Sequence, residues 1–328
     1  MYPGAYTSKL ATVADVSGRI IKDCMGVKPG ESVLVITDSL RKDLGVPIYQ
    51  AALAAGNDAI YLEMRPRTIN GEEPPLVVAD AMYHADVIIA ITKVSLSHTQ
   101  AKIRAVKHGA RIATMPFGAR STDFVMGIFT GGGMTVDYRR MDENIRHLAG
   151  HLNGTSEARI TTEKGTDIRV EYGGREFHTD SGIAHKPGDF TNLPAGEVYV
   201  APVNAEGIIV VDVTMGRLGK LKSPLRIEVK GGMAYSIKGE RAEELEKILA
   251  GFGPKAMNLA EFGIGMNPAA RICGLLLEDE KVAHTVHFAL GSNAAFGGDV
   301  SVPLHMDGVV DNPSIWVDGN ILDIDKYL

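Results

Sequence analysis

Apolar residues in the first part of the chain come in short β-branched runs separated by longer stretches of helical spacing. Residues 32–37 (SVLVIT) read as a buried strand, and LGVPIYQAALAAGN after them as a helix ending near Gly56. DAIYLEM is the next strand and LVVADAMYHA a helix. Residues 86–92 (DVIIAIT) are a third strand, SHTQAKIRAVKHG a helix closed by Gly109, and ARIATMP a fourth strand. Parallel neighbours need a crossover that covers one face of the sheet, so this alternation predicts a doubly wound parallel sheet. The domain is expected to span residues 1–150 and to end with the helical stretch VDYRRMDENIRHLAGHL.

Beyond it the pattern changes to alternation with frequent turns. In EARITTEKGTDIRVEYGGREFHTDSG, both EKGTD and YGGRE read as hairpin turns between antiparallel strands. One further helix, ERAEELEKILAGFG, is followed by glycine-rich β sequence. Trp316 and the final VDGNILDID read as a closing hairpin and edge strand. The expected fold class is therefore α/β, an N-terminal doubly wound parallel sheet followed by an α+β, β-rich metal-binding domain over residues 151–328.

Composition narrows the function classes. The formal charge is −6, with no basic excess to neutralise phosphates, so nucleic acid is not an expected partner. Cys24 and Cys273 are the two cysteines, too few and too far apart for a disulfide framework, and a reducing cytoplasm is expected. No apolar run approaches the roughly 20 residues that cross a bilayer, and the N-terminus lacks the apolar core of a signal peptide, so no membrane partner is expected. Nucleotide signatures are missing too. The first strand runs into TDSLRKDLG without G-x-G-x-x-G, and Gly131, Gly132 and Gly133 are not followed by Gly-Lys-Ser/Thr.

Chemistry concentrates in the second half. NLPAGEVYVAP places Glu197 where a strand begins, and NLAEFGIGMNP places Glu261 among apolar residues and glycines. VHFALG carries His287, and LHMDG carries His305 and Asp307. Residues two apart on a strand share a face, so His305 and Asp307 can converge on one ion, whereas His284 and His287, three apart, point to opposite faces. Two imidazoles with several carboxylates form a nitrogen and oxygen donor set that suits zinc, cobalt, manganese or iron(II). A shared cation also answers the several kcal/mol that burying such carboxylates unpaired would cost. His84, His98 and His108 lie in helical parts of the first domain and read as surface or satisfied polar residues.

The pieces NLPAGEVYVAP, AEFGIGMNP, DEKVAHTVHFALGSN and LHMDG, in that order after an α/β half, resemble the M29 metalloaminopeptidases, aminopeptidases T and S among them. The layout is shared over residues 10–325, the specific motifs over residues 193–307. The resemblance implies a homodimeric hydrolase that removes N-terminal residues from peptides with two divalent ions, zinc, cobalt or manganese. Glu197, Glu261, His287, His305 and Asp307 would be their ligands, and Glu280 would pass a proton to the leaving amine. The chain departs from that pattern in places. In the aminopeptidases the glutamate before the first histidine stands closer than Glu280 stands to His287. They also carry a tyrosine after the H-x-A-x-G segment where SNAAF here has Ala294, and the loop between the two histidines is short.

The same scaffold is similar to the 2,5-dihydroxypyridine 5,6-dioxygenases, which bind one iron(II) through two histidines and an aspartate. That resemblance implies His287, His305 and Asp307 as the iron ligands and a small-molecule substrate. The hydrolase is the leading expectation. The dioxygenase is its alternative, and a metal-binding scaffold without catalysis is the third.

Overall fold

The computed structural model describes residues 11–328, which fall into two compact units. The first consists of the described residues up to Thr135 together with Gly182–Leu193, and the second of Val136–Ser181 and Pro194–Leu328.

The first unit holds an all-parallel sheet of five strands. Asp58–Met64, Ser32–Asp38, Val87–Thr92, Arg111–Pro116 and Phe190–Asn192 lie side by side in that order. The central strand Val87–Thr92 is buried along its whole length, as both faces of such a sheet must be when helices cover them. Helices Lys42–Ala54, Leu76–His84 and Gln100–Lys107 provide the crossovers. Leu34, Ile36, Ile88, Ala90 and Ile112 pack in one core with Val78, Met82, Ala101 and Ala105. The four strands expected from the sequence are present. The fifth, Phe190–Asn192, has only three residues and takes its strand geometry from pairing with residues 112–114, a partner about 80 positions away.

The second unit contains two sheets of seven strands each. One runs Met233–Gly239, Leu225–Lys230, Asn204–Val211, Asp167–Glu171, Glu157–Thr161, Ser314–Val317, Asn320–Ile321. Its last two strands are the closing hairpin with Trp316. The other runs Gly219–Lys220, Thr214–Met215, His305–Asp311, Thr285–Gly291, Leu259–Gly265, Glu197–Val200, His178–Asp180. Every residue of Leu259–Gly265 and of Thr285–Gly291 is buried, so these two strands form the middle of a core with both faces covered.

Two expectations need correction. EKGTD does join the antiparallel strands Glu157–Thr161 and Asp167–Glu171, but YGGRE is not a hairpin turn. The strand after it, His178–Asp180, pairs with Glu197–Val200 in the other sheet, so YGGRE carries the chain from one sheet to the next. The boundary expected at residue 150 also moves. Helix Tyr138–Leu152 buries Tyr138, Met141, Ile145, Leu148 and Leu152 and packs within the second unit, against His178–Asp180 and Glu197–Val200. Its apolar stripe shows that it must be covered without showing by what. Among the described residues no helix is long and apolar enough to cross a membrane.

Candidate metal centre

The register of the second sheet gathers the candidate residues before any side chain is considered. Glu197 lies opposite Gly265, Gly263 opposite His287, Glu261 opposite Ala289, Ala289 opposite Asp307, and Gly291 opposite His305. Directly opposed residues share a face, as do residues two apart on one strand. Glu197, Glu261, His287, His305 and Asp307, contributed by four neighbouring strands, therefore all project from the same side. Antiparallel pairing across residues more than 100 apart in sequence has made one cluster.

The side chains meet accordingly. His287 Nε2 lies 3.1 Å from Glu261 Oε1 and 3.4 Å from Glu197 Oε2. His305 Nε2 lies 3.4 Å from Glu261 Oε2 and 3.2 Å from Asp307 Oδ1. Two groups of three potential ligands result, Glu197, Glu261 and His287 on one side and Glu261, His305 and Asp307 on the other, with Glu261 common to both. The first group is buried. The second is more open, with 26% of the His305 side chain exposed.

The residues present fit a divalent cation. His305 Nδ1 donates to the Ser292 carbonyl at 2.9 Å, which leaves Nε2 as the atom facing the carboxylates, the orientation a metal-binding imidazole needs. His287 Nδ1 is buried without a hydrogen-bond partner, and so is Glu197 Oε2, although an ammonium stands close to the latter. Buried carboxylates and imidazoles crowded to this degree are the hard and borderline donors that suit a divalent transition metal.

Charge also ties the side chains of the cluster to one another. Burial by itself would lower His287, but Glu261 and Glu197 outweigh it and hold the imidazole at about 9. Burial likewise opposes protonation of His305, and Asp307 and Glu261 carry it well above its ordinary value. Glu261 is pushed up by burial but pulled further down by the two imidazoles, ending below the usual carboxylate range. Glu197 goes the other way: burial raises it to about 8 against the pull of Lys281 and His287.

Two glycines allow this packing. A Cβ on Gly263 would lie 2.0 Å from His287 Nε2, so the imidazole occupies the space that any other residue would fill. A Cβ on Gly265 would lie 2.2 Å from the Val282 carbonyl oxygen, so the segment around Glu280 and Lys281 can lie against the strand only because residue 265 has no side chain. Gly263→Ala is expected to displace the His287 ring and lower zinc(II) affinity by about 10- to 100-fold, the range seen when the support of a ligand is lost. Isothermal titration of the folded variant checks this, and unchanged affinity would mean that the ring has room to move.

Several residues of the site carried no readable signal in the sequence. Lys281 is 2% exposed, with Nζ 2.5 Å from Glu197 Oε2 and 2.7 Å from Glu280 Oε1. Glu280 is thus held by its own neighbour and stands outside both three-ligand groups. Beside the open end stands a set of aromatic rings. Tyr199 stacks on His178 at 5.5 Å and meets Phe296 edge-on at 5.4 Å, and Phe296 meets His305 edge-on at 5.9 Å. Phe296 comes from the short turn Ala294–Phe296, which follows the strand that carries His287. A faint signal for Tyr199 existed, since it lies two residues after Glu197 and so shares its face. His284 lies apart, paired with Asp325 at 3.2 Å.

Fold and site together define a class, a two-unit chain with a parallel α/β part and a histidine–carboxylate cluster fit for a metal on an antiparallel sheet. Within that class the chain belongs to the 2,5-dihydroxypyridine 5,6-dioxygenase (NicX) family, whose profile matches residues 14–324. Among solved structures it is similar to the 2,5-dihydroxypyridine dioxygenase from Pseudomonas putida KT2440. The TM-score is 0.76 at 18% identity, over 94% of this chain and 96% of that one. It is also similar to wild-type AmpT from Thermus thermophilus, with a TM-score of 0.71 at 14% identity over the same shares of the two chains. At such identities the two likenesses establish the fold alone. No curated protein sequence matches the chain significantly. The two resemblances therefore change places: the family is the dioxygenase's, and the aminopeptidase likeness is one of fold.

Proposed function

We propose that this protein is a metal-dependent oxygenase that opens the ring of a dihydroxylated N-heterocycle of the 2,5-dihydroxypyridine type. The observation that carries the reading is the family match over residues 14–324, which takes in His287, His305 and Asp307. These three would hold one iron(II), with Glu261 between the two imidazoles as a further donor. Iron(II), when bound, supplies a place where a substrate hydroxyl and dioxygen meet.

The chain's own residues prepare the rest. The Ser292 carbonyl keeps the His305 ring turned so that Nε2 faces inward. Tyr199, His178 and Phe296 offer flat faces and edges beside His305, a surface suited to a planar heterocycle, whose ring packs on aromatic groups in offset or edge-on contact. The more open end of the cluster, at His305 and Asp307, is where a small molecule would reach it.

Anaerobic reconstitution with iron(II), followed by 2,5-dihydroxypyridine and oxygen, tests the proposal. Oxygen uptake in step with loss of the ring absorbance is expected. Iron-loaded protein that takes up no oxygen with this or related dihydroxylated N-heterocycles would overturn it.

One observation favours a second reading. Glu261 belongs to both three-ligand groups, as a carboxylate bridging two ions would. Two ions roughly 3.5–4 Å apart would make a hydrolytic centre of the aminopeptidase kind, with Glu197 as an added ligand. Release of p-nitroaniline from an aminoacyl anilide by zinc- or cobalt-loaded protein, without oxygen uptake, would establish that reading in place of the first.

A further inference from the structure

Lys281 has no part in either account above, yet it is the most deeply buried ammonium in the cluster. Its side chain is 2% exposed, and its ammonium stands against two carboxyl groups, Glu197 at 2.5 Å and Glu280 at 2.7 Å. A buried lysine is tolerated only where partners replace its lost hydration, and here the carboxyl groups of Glu197 and Glu280 both stand within hydrogen-bond reach of its ammonium. The oxygen it approaches is the important detail. Glu197 Oε2, the atom nearest the ammonium, is also the atom 3.4 Å from His287 Nε2. An ion placed between Glu197 and His287 would thus meet the ammonium at the oxygen that faces the imidazole.

The lysine cannot easily be moved aside. The Lys281 carbonyl accepts from the Asn267 backbone N–H at 2.8 Å, and the Asn267 carbonyl accepts from Ala283 N–H at 3.1 Å. The flanking Glu280 and Val282 carbonyls lie where a Cβ on Gly265 would otherwise be. The backbone thus pins the residue against the same strand that carries Glu261. At the other end, Glu261, His305 and Asp307 pair with one another and with His287, and among the described residues no lysine or arginine forms an ion pair with them.

We propose that Lys281 is a built-in cation that fills the inner half of the centre, so that the protein holds one metal ion where its carboxylates could otherwise hold two. Glu197 is then the partner of the lysine and not a metal ligand, and the single ion is the one held by His287, His305 and Asp307 with Glu261 between the imidazoles. This rests on the one-ion reading given above and supplies the residue responsible for it.

Metal content, independent of activity, is the test. Protein equilibrated with zinc(II), or anaerobically with iron(II), is passed through a desalting column and its metal counted by mass spectrometry. The wild type is expected to retain one ion per chain, Lys281→Arg one, and Lys281→Met two, with a melting temperature that rises on adding zinc(II). Glu197→Gln is expected to keep one ion at unchanged affinity, which decides the matter if Lys281→Met does not fold. Two ions in the wild type, one ion in folded Lys281→Met, or loss of the ion in Glu197→Gln would overturn the proposal. One ion per chain without oxygen uptake would instead remove the oxygenase reading and leave the role of Lys281 standing.

Discussion

Replacing Asp307 with alanine is expected to weaken metal binding by more than about 100-fold and to abolish oxygen uptake, while the protein stays folded. The reasoning starts from position. Asp307 is part of the more open ligand group, with its carboxylate 3.2 Å from His305 Nε2 and its side chain 14% exposed. Loss of even a group that only supports a metal ligand costs 10- to 100-fold in affinity, and loss of a ligand costs at least as much. Stability should suffer little. Burial and then the charge of Asp307 make ionisation of nearby Glu280 harder, so removal of Asp307 relieves repulsion while it deletes an attraction to His305. Zinc(II) titration, an oxygen electrode and a thermal melt on the same preparation check the three parts. A variant that keeps its ion would show that the centre lies with Glu197 and His287 instead.

Zinc(II) affinity is expected to rise as pH rises from 7 to about 9 and then to level off. In the metal-free protein His287 holds its proton up to about 9, because Glu261 and Glu197 outweigh the burial that opposes it. A metal binds only the neutral imidazole, so each proton displaced makes affinity climb about tenfold per pH unit below that value, or roughly 100-fold over the interval for one proton. His305, raised for the same kind of reason, steepens the rise. The sign for folding runs opposite. A histidine whose pKa is higher in the folded chain than the ordinary 6.5 contributes stability that is complete below 6.5 and is lost as pH climbs through about 9. The metal-free protein should thus melt earlier on the same rise that tightens metal binding, and the gap between metal-loaded and metal-free melting temperatures should widen. Chelator competition at several pH values, with melts alongside, measures both. A flat affinity profile between pH 7 and 9 would mean that the imidazoles carry no proton to displace.

These expectations depend on residues that were not equally visible in the chain. The runs SVLVIT, DVIIAIT and ARIATMP announce buried parallel strands because their apolar and β-branched content needs no distant partner to be recognised. His305 and Asp307 could be placed on one face because a strand repeats every two residues. Lys281 could not be found in the same way. In DEKVAH it reads as one charge among several in a solvated turn, and it is buried only because Gly265, 16 positions earlier, lets that turn lie against the strand. YGGRE has the composition of a hairpin turn, yet it joins two different sheets, since a turn says how the chain bends and not which edge receives it.

By itself the sequence determined the local elements, the α/β and then β-rich order, and which carboxylates and imidazoles are candidate metal donors. Each of these follows from residue type and from spacing within about ten positions. The tertiary structure alone decided that the five candidate residues share one face, that Glu261 stands between His287 and His305, that Phe296 and Tyr199 stand beside the open end, and that an ammonium stands against Glu197. Those are matters of register between strands up to about 110 residues apart. A slip of one residue would turn a strand's side chains to the opposite face, and only the packing of the whole sheet selects the register that is found.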